Sequence, residues 1–167
     1  SAVCDRLLSA DELSAAKCLT GMNQVRFKQR RGVLRSILGR YLAERPNSLE
    51  VRVANQGKPY VNNGQVQFNL SYSHDFVAIA VAQNNELGID IEELRPIADS
   101  ARIADKFFSR TEIDAIAKAS PSTTHKVFLD IWTRKEAILK AAGVGITDGL
   151  NVAVPTQDRL RANEVIM

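Results

Sequence analysis

Apolar positions recur along the chain with two periods in turn. From about Asp11 to Ala43 the spacing is helical: Val33, Leu34, Ile37, Leu38, Tyr41 and Leu42 recur every three or four residues with arginines between them, and Pro46 ends the run. A period of two follows. Glu50 to Ala54 alternates, Asn55 to Tyr60 reads as a turn around Gly57 and Pro59, and Asn62-Asn63-Gly64 reads as another turn. Gln65 to Ala82 holds two strands: Val66, Phe68 and Leu70 alternate, polar Ser71 to Asp75 forms a tight turn, and Phe76 to Ala82 is a buried strand. Leu87 to Glu92 is predicted as a further strand, with Ile89 and Ile91 on one face and Asp90 on the other. Helices are predicted over 100–107, 111–119 and 125–142, with a capping box from Ser109 to Glu112 and Gly143 as C-cap. Leu150 to Val154 is the last strand candidate. Helix then strands, twice over, predicts an α+β fold. It would be a pseudo-twofold pair of similar halves, 1–83 and 84–167, repeating at about 80 residues. Each half would pack a helix on a small, mostly antiparallel sheet, with the active site between the halves.

Composition narrows the class. At 167 residues, 45% hydrophobic and 25% charged, the chain matches one ordinary globular domain, or two small halves sharing a core, and not a disordered, collagenous or coiled-coil protein. The longest apolar run, Phe76 to Ala82, is far short of the roughly 20 residues that span a bilayer, and no signal-peptide pattern is present, so a cytoplasmic chain without membrane contact is expected. Cys4 and Cys18 are too few for a disulfide framework, and no Cys or His pair has zinc-ligand spacing. The net charge is only +3, yet Arg26, Lys28, Arg30, Arg31, Arg35 and Arg40 crowd one segment opposed only by Glu44, which reads either as a site for an anionic partner or as a solvated helix face. Nucleic acid fits poorly, because no nucleic-acid motif and no interleaved aromatics accompany these residues.

Two carboxylates suggest chemistry. Asp90 and Glu92 stand at i and i+2 of the expected strand, so both project from one face. Like charges so placed call for a cation such as Mg²⁺, which takes a few carboxylates with water and phosphate oxygens; the alternative is a wet, acidic strand face. Glu136 and Lys140 lie one helical turn apart and read either as part of such a site or as a surface ion pair.

Five segments occur in an informative order: Gly57-Lys58-Pro59; Phe68-Asn69-Leu70-Ser71-Tyr72-Ser73; Gly88-Ile89-Asp90-Ile91-Glu92; Phe107-Phe108-Ser109-Arg110-Thr111-Glu112; and Trp132-Thr133-Arg134-Lys135-Glu136-Ala137, running on to Lys140 and Gly143-Val144-Gly145. From roughly Arg26 to Gly145 the chain resembles a 4′-phosphopantetheinyl transferase of the surfactin-synthetase-activating type. The carrier-protein-synthase subgroup has one half per chain, trimerises and starts near its Gly-Ile-Asp motif. Here a whole half precedes Gly88, which points to the double-length, monomeric type.

The resemblance implies transfer of the 4′-phosphopantetheine arm of coenzyme A to a serine of an acidic acyl or peptidyl carrier protein, releasing 3′,5′-ADP. It assigns Mg²⁺, with Mn²⁺ as a substitute, to Asp90, Glu92 and Glu136. Lys140 would stabilise the transferring or leaving phosphate, and Glu136 or a relayed water would accept the serine proton. Lys58, Ser71, Arg35, Ser36 and Lys140 would hold the coenzyme, and the basic helix would face the carrier protein or the coenzyme phosphates. Trp132, Phe107 and Phe108 are expected in the core. Where the family commonly has Ser-His-Ser, this chain has Ser71-Tyr72-Ser73, so Tyr72, or His74 on the same face of an extended strand, is expected at the phosphate. Relatives carry a leading strand and a further strand pair, so a longer parent chain is expected. The rival reading is a non-catalytic module that binds coenzyme A or a carrier protein; intact Asp90, Glu92, Glu136 and Lys140 argue against it.

Overall fold

Residues 2–54, 56–62 and 65–144 are described by the structure, a computed structural model. Three helices lead: α1 (Ala2–Asp5), α2 (Ala10–Lys17) and α3 (Gly21–Leu42). The single helix expected from 11 to 43 is therefore two. The chain breaks after Lys17, where the Cys18 and Leu19 amides close onto the Ala15 and Ala16 carbonyls, and Gly21 takes φ +56, a conformation that favours glycine. A capping box that the periodicity did not reveal starts α2: Ser9 Oγ accepts from the Glu12 amide and the Glu12 carboxylate accepts from the Ser9 amide. Glu12 also reaches Arg35 on α3, whose guanidinium donates to the Pro46 and Leu49 carbonyls as well.

Two antiparallel hairpins follow, β1 (Val51–Val53) with β2 (Pro59–Val61) and β3 (Val66–Ser73) with β4 (Phe76–Gln83). β3 runs three residues further than its alternation predicts, so the turn shrinks to His74-Asp75, with His74 at φ +55. Both faces of β3 are covered. Val66 and Phe68 pack with Leu34 and Leu38 of α3 and with Leu49 and Val61 in a first core, while Asn69 and Ser71 are buried towards later segments of the chain.

The second half departs from expectation in one element. Residues 87–92 form no strand ladder but an extended run beside β3, held by side chains. The three expected helices are present as α4 (Ser100–Phe107), α5 (Arg110–Lys118) and α6 (Thr124–Ala142). Ser109 and Glu112 make the expected capping box, and Gly143 ends α6 at φ +67. Phe108, Phe128 and Leu129 form a second core with partly buried Phe107 and Trp132, and the Phe108 and Phe128 rings stack with centroids 5.2 Å apart. On α6, Lys135 is 2% exposed and its ammonium lies 3.0 Å from Glu112. The arrangement of α2 and α3 thus recurs in α5 and α6. Each shorter helix opens on a capping-box glutamate that pairs with a buried cation on the longer helix, and Glu12, Arg35, Glu112 and Lys135 keep one common offset, wider than the expected repeat. The Leu150 to Val154 strand candidate lies outside the described residues, and the described part of this half contains no sheet. No described helix is long and apolar enough to cross a membrane.

Candidate active site

Strand β3 lines one wall of the site. Asn69 Oδ1 accepts from the Ile89 amide (3.2 Å), Ser71 Oγ donates to Asp90 Oδ1 (2.7 Å), and Ser73 Oγ donates to Glu92 Oε2 (3.1 Å) and accepts from the Glu93 amide (2.9 Å). The opposite wall is α6. A Cβ on Gly88 would fall 1.9 Å from the Ala137 carbonyl oxygen and 2.4 Å from the Ala141 nitrogen, so glycine is what lets segment 87–92 lie against this helix. Lys140 on α6 then closes the gap, its ammonium 2.5 Å from Asp90 Oδ1 and 3.1 Å from Ser71 Oγ. One turn earlier, Glu136 is 8% exposed.

The acids are held in a costly state. Burial pushes the Glu136 carboxyl above its ordinary range; Asp90 and Glu92 push the same way, and Lys140 opposes them. Two oxygens of these acids, Asp90 Oδ2 and Glu136 Oε1, are buried without a hydrogen-bond partner among the described residues. Ionised carboxylate oxygens only accept, so an unmet buried pair fits a cation. Mg²⁺ fits in particular, because it needs one or two carboxylates and completes its shell with water and phosphate oxygens. Among the described residues no three His, Cys, Asp or Glu side chains are gathered to hold a metal, and Glu92 is exposed and bonded to Ser73, so Asp90 and Glu136 are the pair that fits.

A stability test follows from the raised carboxyl. Folding favours the protonated form of Glu136, so its ionised form destabilises the protein above the ordinary value of 4.5, and Gln removes that penalty. Glu136→Gln is expected to melt higher than wild type at pH 7 in EDTA, with the gain shrinking as pH falls towards 4.5. A lower melting temperature at pH 7 would contradict the assignment.

Other expected residues fall in three places. Lys58 donates to Glu86 and to the Ala141 carbonyl at the end of α6, and with Lys140, Asn69 and Gly143 it lines a cavity of 240 Å³. Tyr72 and His74 line another of 560 Å³ with Arg26, Arg30 and Arg31. They meet there although β3 ends before His74, so strand alternation is not the reason. The Arg30 guanidinium lies 3.6 Å over the Tyr72 ring and donates to the His74 carbonyl. Arg35, expected at the coenzyme, is 3% exposed and committed to Glu12 and two carbonyls, so it braces the fold. Its neighbour Ser36 is half-buried on α3. The basic segment is also less available than its sequence suggests, since Arg26, Lys28 and Arg31 pair with Asp75, Asp5 and Glu12 from elsewhere in the chain. Sequence reasoning placed Arg30 only as one of the basic helix's charges, and gave no site role to Asn69 beyond its motif or to Trp132 beyond the core. Trp132 packs in the second core but also lines a third cavity, of 420 Å³, with Asp90, Glu92, Glu136 and Lys140.

The three cavities follow β3 in order. All share Leu70, the arginine cavity shares Tyr72 with the acidic one, and the acidic one shares Lys140 with the Lys58 cavity. The groove is therefore basic, acidic, then basic, with its cation-seeking oxygens in the middle. Residues 86–166 match the family model described as the 4′-phosphopantetheinyl transferase superfamily. The chain is similar to the 4′-phosphopantetheinyl transferase HetI of Nostoc sp. (strain PCC 7120), with 38% identity over 144 residues covering 83% of this chain and 61% of HetI. It is also similar to AcpT of Escherichia coli K12, with 36% identity over 110 residues (65% of this chain, 55% of AcpT). A third relative is psf-1 of Bacillus pumilus, with 40% identity over 96 residues (57% of this chain, 40% of psf-1). The chain spans about three fifths of the length of HetI and less of the other two.

Proposed function

We propose that the protein transfers the 4′-phosphopantetheine arm of coenzyme A to a serine hydroxyl of a carrier protein, as a double-length, monomeric member of the superfamily. The carrying observation is the pair of buried, partnerless oxygens on Asp90 and Glu136 beside the Lys140 ammonium, in the middle of a groove that is basic at both ends. Such a groove suits a ligand with a central pyrophosphate and a second phosphate further along, which is the charge pattern of coenzyme A. The pseudo-twofold reading is supported by the common offset of the two glutamate–cation pairs, with residues 1–83 supplying Lys58, Ser71 and Tyr72 and 84–167 the acids and Lys140.

Asp90 and Glu136, with Glu92 reached by rotation of its exposed side chain, would hold Mg²⁺, which when bound neutralises charge on the pyrophosphate oxygens. Lys140 is held by Asp90 and Ser71 at the mouth of this site and meets the charge that builds on the leaving phosphate. The serine oxygen attacks the phosphorus that carries pantetheine, its bond to the bridging oxygen breaks, and 3′,5′-ADP leaves. Glu136, or a water relayed through it, takes the serine proton. Lys58 at one end of the groove and Arg30 with Tyr72 and His74 at the other are the two candidate seats for the 3′-phosphate, the one phosphate of coenzyme A outside the pyrophosphate.

The deciding experiment is mass spectrometry of an apo carrier protein incubated with coenzyme A, Mg²⁺ and this protein. Gain of the phosphopantetheine mass, lost on adding EDTA, is expected. Coenzyme A binding without any mass gain would favour the non-catalytic module.

A further inference from the structure

Segment 87–92 lies beside β3 without the backbone ladder that its sequence predicts, and its described hydrogen bonds to β3 run through side chains. Alternate residues Asn69, Ser71 and Ser73 share one face of β3, and each grips the segment in turn. Asn69 is buried at 4% exposure and holds the Ile89 amide, one residue before Asp90. Ser73 is committed twice: its single proton goes to the Glu92 carboxylate and its lone pair takes the Glu93 amide, which fixes the hydroxyl and the carboxylate together. A ladder would lock the segment about 4.8 Å from β3. The side-chain grip instead lets it seat Gly88 on the backbone of α6, the helix bearing Glu136 and Lys140.

We propose that Asn69 and Ser73 are positioning residues: through segment 87–92 they fix the depth of Asp90 and the aim of Glu92 towards the divalent ion and the pyrophosphate. Ser71 differs from them, because it also bonds Lys140 and belongs to the reacting site. The proposal rests on the transferase reading.

The test uses the full chain with Asn69→Leu, Ser73→Ala and the conservative Ser73→Thr, which keeps the hydroxyl. Amide exchange, read without metal or coenzyme, should quicken roughly 10-fold at Ile89 in Asn69→Leu and at Glu93 in Ser73→Ala, and stay near wild type in Ser73→Thr. In carrier-protein turnover, Asn69→Leu and Ser73→Ala should need roughly 10-fold more Mg²⁺ for half-maximal rate, as loss of a group orienting a metal ligand typically does. The KM of Ser73→Ala for coenzyme A should stay within about twofold, and Ser73→Thr should keep the wild-type Mg²⁺ requirement. Faster exchange with an unchanged Mg²⁺ requirement and kcat would overturn the proposal, as would a raised KM for coenzyme A alone, which would make these residues coenzyme contacts. Should wild type transfer nothing, the transferase reading fails by itself, and Mn²⁺ quenching of Trp132, the single tryptophan, still decides the positioning claim. Weaker Mn²⁺ quenching in Ser73→Ala than in wild type supports it, and equal quenching overturns it.

Discussion

Lys140→Met is expected to lower turnover by a factor on the order of 10²–10³ while changing the KM for coenzyme A only a few-fold. The ammonium is held in place before substrate arrives, between Asp90 Oδ1 and Ser71 Oγ, so no reorganisation is needed when charge develops on the leaving phosphate. Loss of the side chain has a second effect. The Asp90 side chain is 5% exposed and loses its cation, so the metal-free protein should also melt lower, the opposite of the change expected for Glu136→Gln. Measuring kcat, KM and melting temperature on the same preparation separates these effects. If KM alone rises, Lys140 is a binding residue and its assigned role in the reaction is wrong.

Glu112→Ala should cost about 3–5 kcal/mol of folding stability, as removal of one partner of a buried ion pair typically does. The carboxylate serves two elements: it closes the capping box on the Ser109 amide and meets the Lys135 ammonium, which is 2% exposed on α6. Burial by itself would raise the Glu112 carboxyl, but the Ser109 amide and Lys135 outweigh it and hold the group below its ordinary 4.5. A depressed folded value means that this stabilisation is complete above 4.5 and is lost as pH falls through the folded value. Glu112→Gln keeps a capping acceptor without the charge, so the gap in unfolding free energy between it and wild type should narrow steadily on acidification. A gap that is flat from pH 7 to pH 3 would show that the ion pair contributes nothing.

Where function and local periodicity coincide, the sequence is transparent. The helices from Ser100 onwards, the Gly143 cap and the β3–β4 pairing follow from spacing and capping chemistry, which act over a few residues. Asp90, Glu136 and Lys140 were legible as a motif, but their convergence was not, because it depends on Gly88 touching α6 and on Ser71 bridging two of them. Segment 87–92 alternates like a strand because its two faces meet different neighbours; the same alternation serves a segment gripped by side chains. Arg35 shows the opposite failure. A charge on a helix reads as solvent-facing or ligand-facing until the partners that bury it, Glu12 and the carbonyls of Pro46 and Leu49, are brought in from elsewhere in the chain. Part of the basic segment's charge is met in the same way, since Asp5, Glu12 and Asp75 lie outside the window in which that charge was counted.

The bond between Lys140 and Asp90 joins residues 50 positions apart, and that between Lys140 and Ser71 joins residues 69 apart. During synthesis from the N-terminus, β3, Asp90 and Glu92 leave the ribosome before α6 is complete, so these two carboxylates wait for Lys140. Native contacts of such long range form late, after the local helices and hairpins. Helical signal and catalytic competence should therefore part company in time on refolding, and a nascent chain halted before α6 would hold the acidic segment without the lysine that neutralises it.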